Sequence, residues 1–378
     1  MPPLNLQIAR VEAHVFRVPV AVPIKVSFGT FRDRPMVLVR VVDVDGAEGW
    51  GEIWSNWPAV GAEHRARLLA DYGERLVGRR FDGPAQAWAQ LSRELEVLVL
   101  QTGEVGPVAQ MLAGLDIALW DLVARRAGQP LHRLLGGTGA AEVPVYATGI
   151  NPDQPERFAA DRQAEGHRAF KLKVGFDIDR DTANLVAMRE ALGPQAAICC
   201  DVNQAWGVAQ ATDFARRIGD LGLMWLEEPI RVDAPAADWA ALAAASPVPL
   251  AGGENMMGPA LDTAVNDRVL KVIQPDVTKW GGISGNLPVA RAAVAAGLWY
   301  CPHFFGGGLA LLASLQLLAA AGGDGYLEFD CHANAGRERI VGDLLPVRDG
   351  RVPVPGGAGL GALPDLAALE RWRTWPAA

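Results

Sequence analysis

Hydrophobic and polar positions divide the chain into two textures. Up to about residue 140, β-branched runs and helical patterns are mixed. Residues 37–44 form a β-branched run that reaches Asp45-Gly46, a turn signal, after which Gly49-Trp50-Gly51-Glu52 resumes a strand. Three helical patterns follow, near 60–77, 84–99 and 107–126. In the last, Met111, Leu112, Leu115, Ala118 and Leu119 share one face. These patterns predict an α+β unit over residues 1–140.

From residue 143 the texture changes. Short apolar runs recur at 143–150, 170–174, 197–202, 223–227, 249–254, 271–276, 298–303 and 326–329, separated by helical stretches such as 287–296 and 310–320. Strands alternating with helical crossovers predict a TIM-type (β/α)7β barrel of the α/β class over 141–335. An open doubly wound sheet alternates in the same way, but does not normally carry a polar residue at the end of nearly every strand. Beyond 329 the chain turns Gly/Pro-rich, with a short helical pattern near 363–372. The segment 336–378 is expected to pack back on the first unit.

The strand ends carry the candidate chemistry, because catalytic side chains of a barrel sit at the C-terminal mouth. Lys171 and Lys173 end the second run, Asp201 and Asn203 the third, and Glu227-Glu228 the fourth. Glu254 ends the fifth, Asp276 the sixth, His303 the seventh and Glu328 the eighth. Steps of 22 to 30 residues separate Lys171, Asp201, Glu227, Glu254, Asp276, His303 and Glu328, about one strand–helix unit each. Taken singly, such acids are capping or ion-paired residues; in register they form one array.

Asp201, Glu227 and Glu254 make an all-oxygen ligand set, which favours Mg²⁺, with Mn²⁺ as the alternative. Of the adjacent pair, strand alternation lets only one acid point inward, and Glu227 shares parity with Trp225. Lys171 and Lys173 share a face, and their mutual repulsion is expected to favour neutral amine, the form a general base needs. Asp276 lies one strand from His303 and suits fixing its tautomer. Glu328 is expected to be an acid whose burial raises its pKa, so that it donates to a developing oxyanion; its alternative is a core carboxylate bridging strands.

Composition narrows the partners. The 378 residues are half hydrophobic and 21% charged, with net charge −8 and no basic block, which argues against nucleic acid or an anionic membrane. Cys199, Cys200, Cys301 and Cys331 lack zinc-type spacing and read as buried thiols in a reducing compartment. The N-terminal Met1-Pro2-Pro3-Leu4 lacks signal-peptide character, and the apolar stretch 309–321 is too short to span a bilayer. A cytoplasmic location is expected.

Taken together, Lys171-Leu172-Lys173, Asp201-Val202-Asn203, Trp225-Leu226-Glu227-Glu228-Pro229, Gly253-Glu254-Asn255, Asp276-Val277-Thr278-Lys279, Pro302-His303 and Leu327-Glu328 resemble the enolase superfamily, mandelate racemase group. The resemblance covers essentially the whole chain and implies an N-terminal capping domain. It also implies that Mg²⁺ on Asp201, Glu227 and Glu254 chelates a substrate carboxylate, that Lys173 is the base on one face, and that Lys171 helps hold the carboxylate. His303, supported by Asp276, would serve the other face, and Glu328 would bind the enediolate. A lysine at position 276 would mark the muconate-cycloisomerase branch; Asp276 marks the racemase-like one, with Lys279 in a supporting role.

The implied activity is dehydration or racemisation of a 2-hydroxy acid, an acid sugar in the first place. Sugar-lactone cycloisomerisation by the same enolate chemistry is the alternative, and a non-catalytic carboxylate-binding barrel is the reading from another class. Asn203, Arg32, Trp54 and Phe304 are the candidate substrate contacts, with 26–34 expected to reach the site from the cap. A homo-oligomer is the expectation for such a barrel.

Overall fold

The computed structural model describes residues 4–26 and 29–375. Met1 to Pro3, and Ser27 and Phe28 of the 26–34 segment, lie outside the described residues.

The capping domain is a meander of three strands, Leu6–Val26, Gly29–Asp43 and Glu48–Ile53, joined on its outer edge by Arg373–Trp375. The turn forms because Asp43 Oδ1 accepts the N–H groups of Asp45 and Ala47, both at 2.9 Å, and Gly46 takes φ +82°. The helix Val105–Arg126 lies on this sheet almost without intervening side chains. A Cβ at Gly51 would come 2.2 Å from the Gly114 carbonyl oxygen, and one at Gly49 2.2 Å from that of Ala118. The spacing Gly49-x-Gly51 is thus a packing requirement of one sheet face. That helix is apolar and long enough to cross a membrane by length and composition, but 16 of its residues are buried in this core.

Eight parallel strands, Glu142–Ile150, Ala169–Lys173, Ala197–Asp201, Leu226–Glu227, Leu250–Gly252, Val272–Ile273, Trp299–Tyr300 and Leu327–Asp330, make the barrel. Each of the first seven is followed by a helix, the last of them Gly308–Ala321. The eighth pairs with the first, and the ladder runs from there to the seventh. Between the seventh and eighth, Gly325 takes the place of a ladder: a Cβ there would meet the Tyr300 carbonyl oxygen at 1.8 Å.

Tyr146, Ala169, Cys199, Trp225, Ala251, Val272 and Cys301, one from each of seven strands, form the floor of the barrel interior. Cys200, next to Cys199, packs on the other side of its strand. Two or four residues beyond the floor, alternation delivers Lys171, Lys173, Asp201, Glu227, Asp276 and His303 into the mouth. Glu254 is out of phase with Ala251 by one residue. Gly253, at φ +137°, makes the adjustment, and its Cβ position is filled by the backbone of Gln274.

Candidate active site

The mouth of the barrel holds a narrow cavity of about 50 Å³. Lys173, Asn203, Glu254, Lys279, His303 and Glu328 line its base and walls. Ile24, Phe31 and Trp54 from the cap roof it with Phe305.

Six carboxylates meet four cations around this cavity. Lys171 Nζ, fully buried, lies 2.8 Å from Glu227 Oε1, 2.9 Å from Glu328 Oε1 and 3.7 Å from Asp201 Oδ2. Lys173 Nζ donates to Asp201 Oδ2, and to Asn203 Oδ1 at 3.1 Å. Glu227 also accepts from Trp225 Nε1 at 3.1 Å and Gln274 Nε2 at 2.8 Å. His303 spans two acids: Nδ1 is 2.7 Å from Asp276 Oδ2, and Nε2 is 2.6 Å from Glu254 Oε2. Thr278 fixes Asp276 from the far side through N–H and Oγ1, at 2.8 and 2.6 Å.

In metal-free protein these contacts bias the protonation states, and at the two lysines and Glu328 the direction is opposite to the one expected beside a metal. Burial alone would neutralise Lys171, but Glu227, Glu328 and Asp201 outweigh it and hold the amine well above its ordinary pKa. Lys173 is likewise raised against burial, by Asp201 in particular. The two ammonium groups do repel, yet without a metal ion the surrounding acids outnumber them and favour the charged amines. Glu328 is biased toward its ionised form. Burial pushes its pKa up, but Lys171, His303 and Lys173 bring it below the ordinary value. Its other oxygen accepts the Phe304 N–H at 2.9 Å.

The expectation that only one of Glu227 and Glu228 points inward also fails. Both are buried, because Glu228 leaves strand geometry at φ +39° and alternation no longer applies. Glu228 accepts from Asn255 Nδ2 at 2.9 Å. Burial, with Glu254 and Asp201 nearby, pushes its pKa well up; burial and Asp201 push Glu227 up to about 7. His303 moves the other way. Burial would lower it, but Glu254, Glu328 and Asp276 bring it up to about 10.

The candidate substrate contacts divide. Asn203 and Trp54 line the cavity, whereas Arg32 is exposed and does not. Phe304 is buried in the core with its N–H on Glu328, and Phe305 takes the wall position instead. The chain direction reverses the two rings: once Phe304 is tied to strand eight, the next side chain faces the cap. Lys279, assigned only support, lines the cavity with Nζ 3.3 Å from Glu254 and 4.9 Å from the Trp54 ring centre. Its position three residues after Asp276 was the available signal. Phe31 belongs to the 26–34 segment expected to reach the site, whereas Ile24, just before it, carried no signal.

Two family descriptions match this chain: the mandelate racemase/muconate lactonizing enzyme N-terminal domain over residues 10–136, and the enolase C-terminal domain-like family over 155–368. The chain belongs to the mandelate racemase/muconate lactonizing enzyme family of the enolase superfamily. Within that family it is 31% identical to the D-galactarolactone cycloisomerase of Agrobacterium fabrum, over 97% of this chain and 99% of that one. A solved mandelate racemase/muconate lactonizing enzyme from Bordetella bronchiseptica shares 53% identity and a TM-score of 0.91, covering 97% of this chain and 99% of that chain. The L-talarate/galactarate dehydratase of Salmonella typhimurium, solved with Mg and L-lyxarohydroxamate, shares 28% identity and a TM-score of 0.85 over 98% and 93%. Family members thus include cycloisomerases and dehydratases of acid sugars, and magnesium is bound in solved members.

Proposed function

We propose that this protein abstracts the α-proton of a 2-hydroxy carboxylate, an acid sugar, with Mg²⁺ (or Mn²⁺) held by Asp201, Glu227 and Glu254. The observation that carries this reading is the pair of proton-transfer groups, Lys173 on strand two and His303 on strand seven. They line one cavity and flank the arc of carboxylates on strands three to five.

The residues fit such an ion by charge and by donor type. Asp201, Glu227, Glu228, Glu254, Asp276 and Glu328 face Lys171, Lys173, Lys279 and His303, which leaves the cluster two positive charges short when every acid is ionised. Burial first, and then the neighbouring acids, raise the pKa of Glu227 and of Glu228. All-oxygen donors suit a hard divalent cation. Among the described residues no three acid, His or Cys side chains converge at ligand distance, because Lys173 is paired with Asp201 and His303 with Glu254. Asp201, Glu227 and Glu254 would hold Mg²⁺, which would supply positive charge to the substrate carboxylate.

Lys173, once freed from Asp201 and deprotonated to the neutral amine by the nearby positive charge, would take the α-proton on one face. His303 serves the other face through Nε2, with Nδ1 fixed by Asp276. Lys171 keeps its charge and directs it at the substrate carboxylate, where the second negative charge of the enediolate builds. Delivery of a proton by His303 to the opposite face, while Lys173 keeps the one it removed, gives inversion at the α-carbon. Delivering it instead to a departing β-hydroxyl gives water and an enol that tautomerises to a 2-keto acid. Lactone cycloisomerisation is the second reading; the compact apolar roof of Ile24, Phe31, Trp54 and Phe305 suits a ring, and the Agrobacterium relative is named for that reaction. Four free cysteines suit a reducing cytoplasm, and a homo-oligomer accords with the barrel.

The test is incubation with Mg²⁺ and panels of acid sugars, their lactones and simple 2-hydroxy acids, with products read by NMR. A 2-keto acid, an epimer or a ring-opened unsaturated acid assigns the reaction. Turnover that is indifferent to chelation or to Lys173→Met would refute the proposal.

A further inference from the structure

We infer that Glu52, together with Arg34 and Asn56, is a positioning residue for His303: the capping domain holds the backbone that follows the imidazole and so sets its reach into the cavity. The cap then does more than roof the site.

The support is a set of cap hydrogen bonds to the loop after His303, which the barrel also holds through Glu328 on the Phe304 N–H and Asn334 on the Gly306 carbonyl. Asn56 Nδ2 donates to the Phe305 carbonyl at 2.6 Å. Arg34 Nη2 donates to the Gly306 carbonyl at 3.4 Å, and its guanidinium lies 3.7 Å from the Phe305 ring centre. Glu52 Oε1 accepts the Gly307 N–H and Oε2 accepts the Ala310 N–H at 3.0 Å. All three polar side chains come from the cap, and each is buried.

The sequence is built to admit this contact. A Cβ at Gly306 would lie 3.0 Å from Glu52 Oε1, and one at Gly307 would lie 2.9 Å from it and 2.4 Å from Met36 Sδ. Only glycine at both positions leaves room for the carboxylate. A carboxylate at the start of the helix Gly308–Ala321 also complements its dipole. Glu52 follows Gly49-Trp50-Gly51, whose backbone lies directly on the helix Val105–Arg126, so the carboxylate extends from the most rigid part of the cap. Burial, opposed by the two N–H donors and Arg34 and assisted by Asp276, pushes its pKa up to about 7.

The inference rests on the proposed role of His303 as the base on one face. The measurement is exchange of the α-proton in D₂O with Mg²⁺, using both C2 epimers of a responsive acid sugar, in the full-length protein. Glu52→Gln places an amide donor against one of the two N–H groups. A displacement of about 1 Å is expected to slow exchange at the His303 face up to ~10²-fold, with exchange at the Lys173 face within about twofold of wild type. Asp121→Asn is the control: Asp121 is an equally buried cap acid that accepts from Trp50 and Leu360 N–H and touches nothing on 304–310. It is expected to leave the ratio between faces unchanged. Equal losses at both faces in Glu52→Gln, or no loss, would overturn the inference.

Should wild type exchange no substrate, the catalytic reading fails by itself, and amide hydrogen exchange decides the positioning. Protection over 304–312 should fall at least tenfold in Glu52→Gln while 283–295 is unaffected. Unchanged protection over 304–312 would also overturn it.

Discussion

The ion pair between Arg34 and Asp330 joins the cap to the last barrel strand, and its two halves are not equivalent. Arg34 Nη1 lies 2.7 Å from Asp330 Oδ2, with the two side chains 2% and 0% exposed. Asp330 has a second partner: Arg337 Nη1 is 3.4 Å from the same oxygen. Burial would raise the Asp330 pKa, but Arg34 and Arg337 keep it below its ordinary value. Arg34→Met therefore leaves an acid that still has Arg337 and the His332 N–H, at 3.0 Å. Asp330→Asn leaves the buried Arg34 guanidinium without its ion-pair partner, facing Arg337, which keeps Glu338 at 3.5 Å. Breaking a buried pair so that charge is left uncompensated costs about 3–5 kcal/mol. Removing Arg34 should cost roughly 1–3 kcal/mol, the range for a lost partner when another remains. With an unfolding entropy of about 2.1 cal/mol/K per residue, 4 kcal/mol lowers Tm by roughly 5 °C in a chain of this length. Calorimetry of Arg34→Met, Asp330→Asn and the double variant at pH 7 reads these values, and added salt should change them little because the pair is buried. If Arg34→Met proves as costly as Asp330→Asn, the argument from the shared acid is refuted.

Other outcomes follow from the same geometry. In metal-free protein, the His303 pKa of about 10 lies above its ordinary 6.5, so its stabilisation is full below about pH 6.5 and lost as pH rises through 10. The Tm should decline over that window, and His303→Asn should flatten the decline. Mg²⁺ should raise the Tm of metal-free protein, and Glu254→Gln should remove most of that rise in the same melting assay. Gly51→Ala drives a Cβ into the Gly114 carbonyl, with 2.2 Å available; expression and melting should show a loss of about 3 kcal/mol or more, the upper range for overpacking.

Much of this was legible in the sequence, because a parallel barrel repeats one unit. A polar residue at the end of each apolar run marks one height in the mouth, and Lys171, Asp201, Glu227, Asp276 and His303 reach it by alternation alone. Glu254 reaches it through Gly253, whose φ no pattern of apolar positions encodes. The inward turn of Glu228 was illegible for the same reason. The metal-free bias of Lys171, Lys173 and Glu328 toward their charged forms was not legible, because spacing identifies neighbours without counting them, and here the acids outnumber the amines. The long strand Leu6–Val26 escaped notice: Pro19 and Pro23 interrupt its pattern, and its pairing is irregular between Pro19 and Ile24. Glu52 was visible as part of a motif, but its partners at 307 and 310 lie 255 and 258 residues away.

The account's central claim is that Lys173 and His303 exchange protons with opposite faces of one metal-bound carboxylate. It is tested most directly by following α-proton exchange in D₂O, with Mg²⁺, for wild type, Lys173→Met and His303→Asn on a matched pair of C2 epimers. The account predicts that each variant loses exchange from one epimer while retaining it from the other, and that chelation abolishes both. Loss of both epimers' exchange in either variant, or exchange that survives chelation, would contradict it.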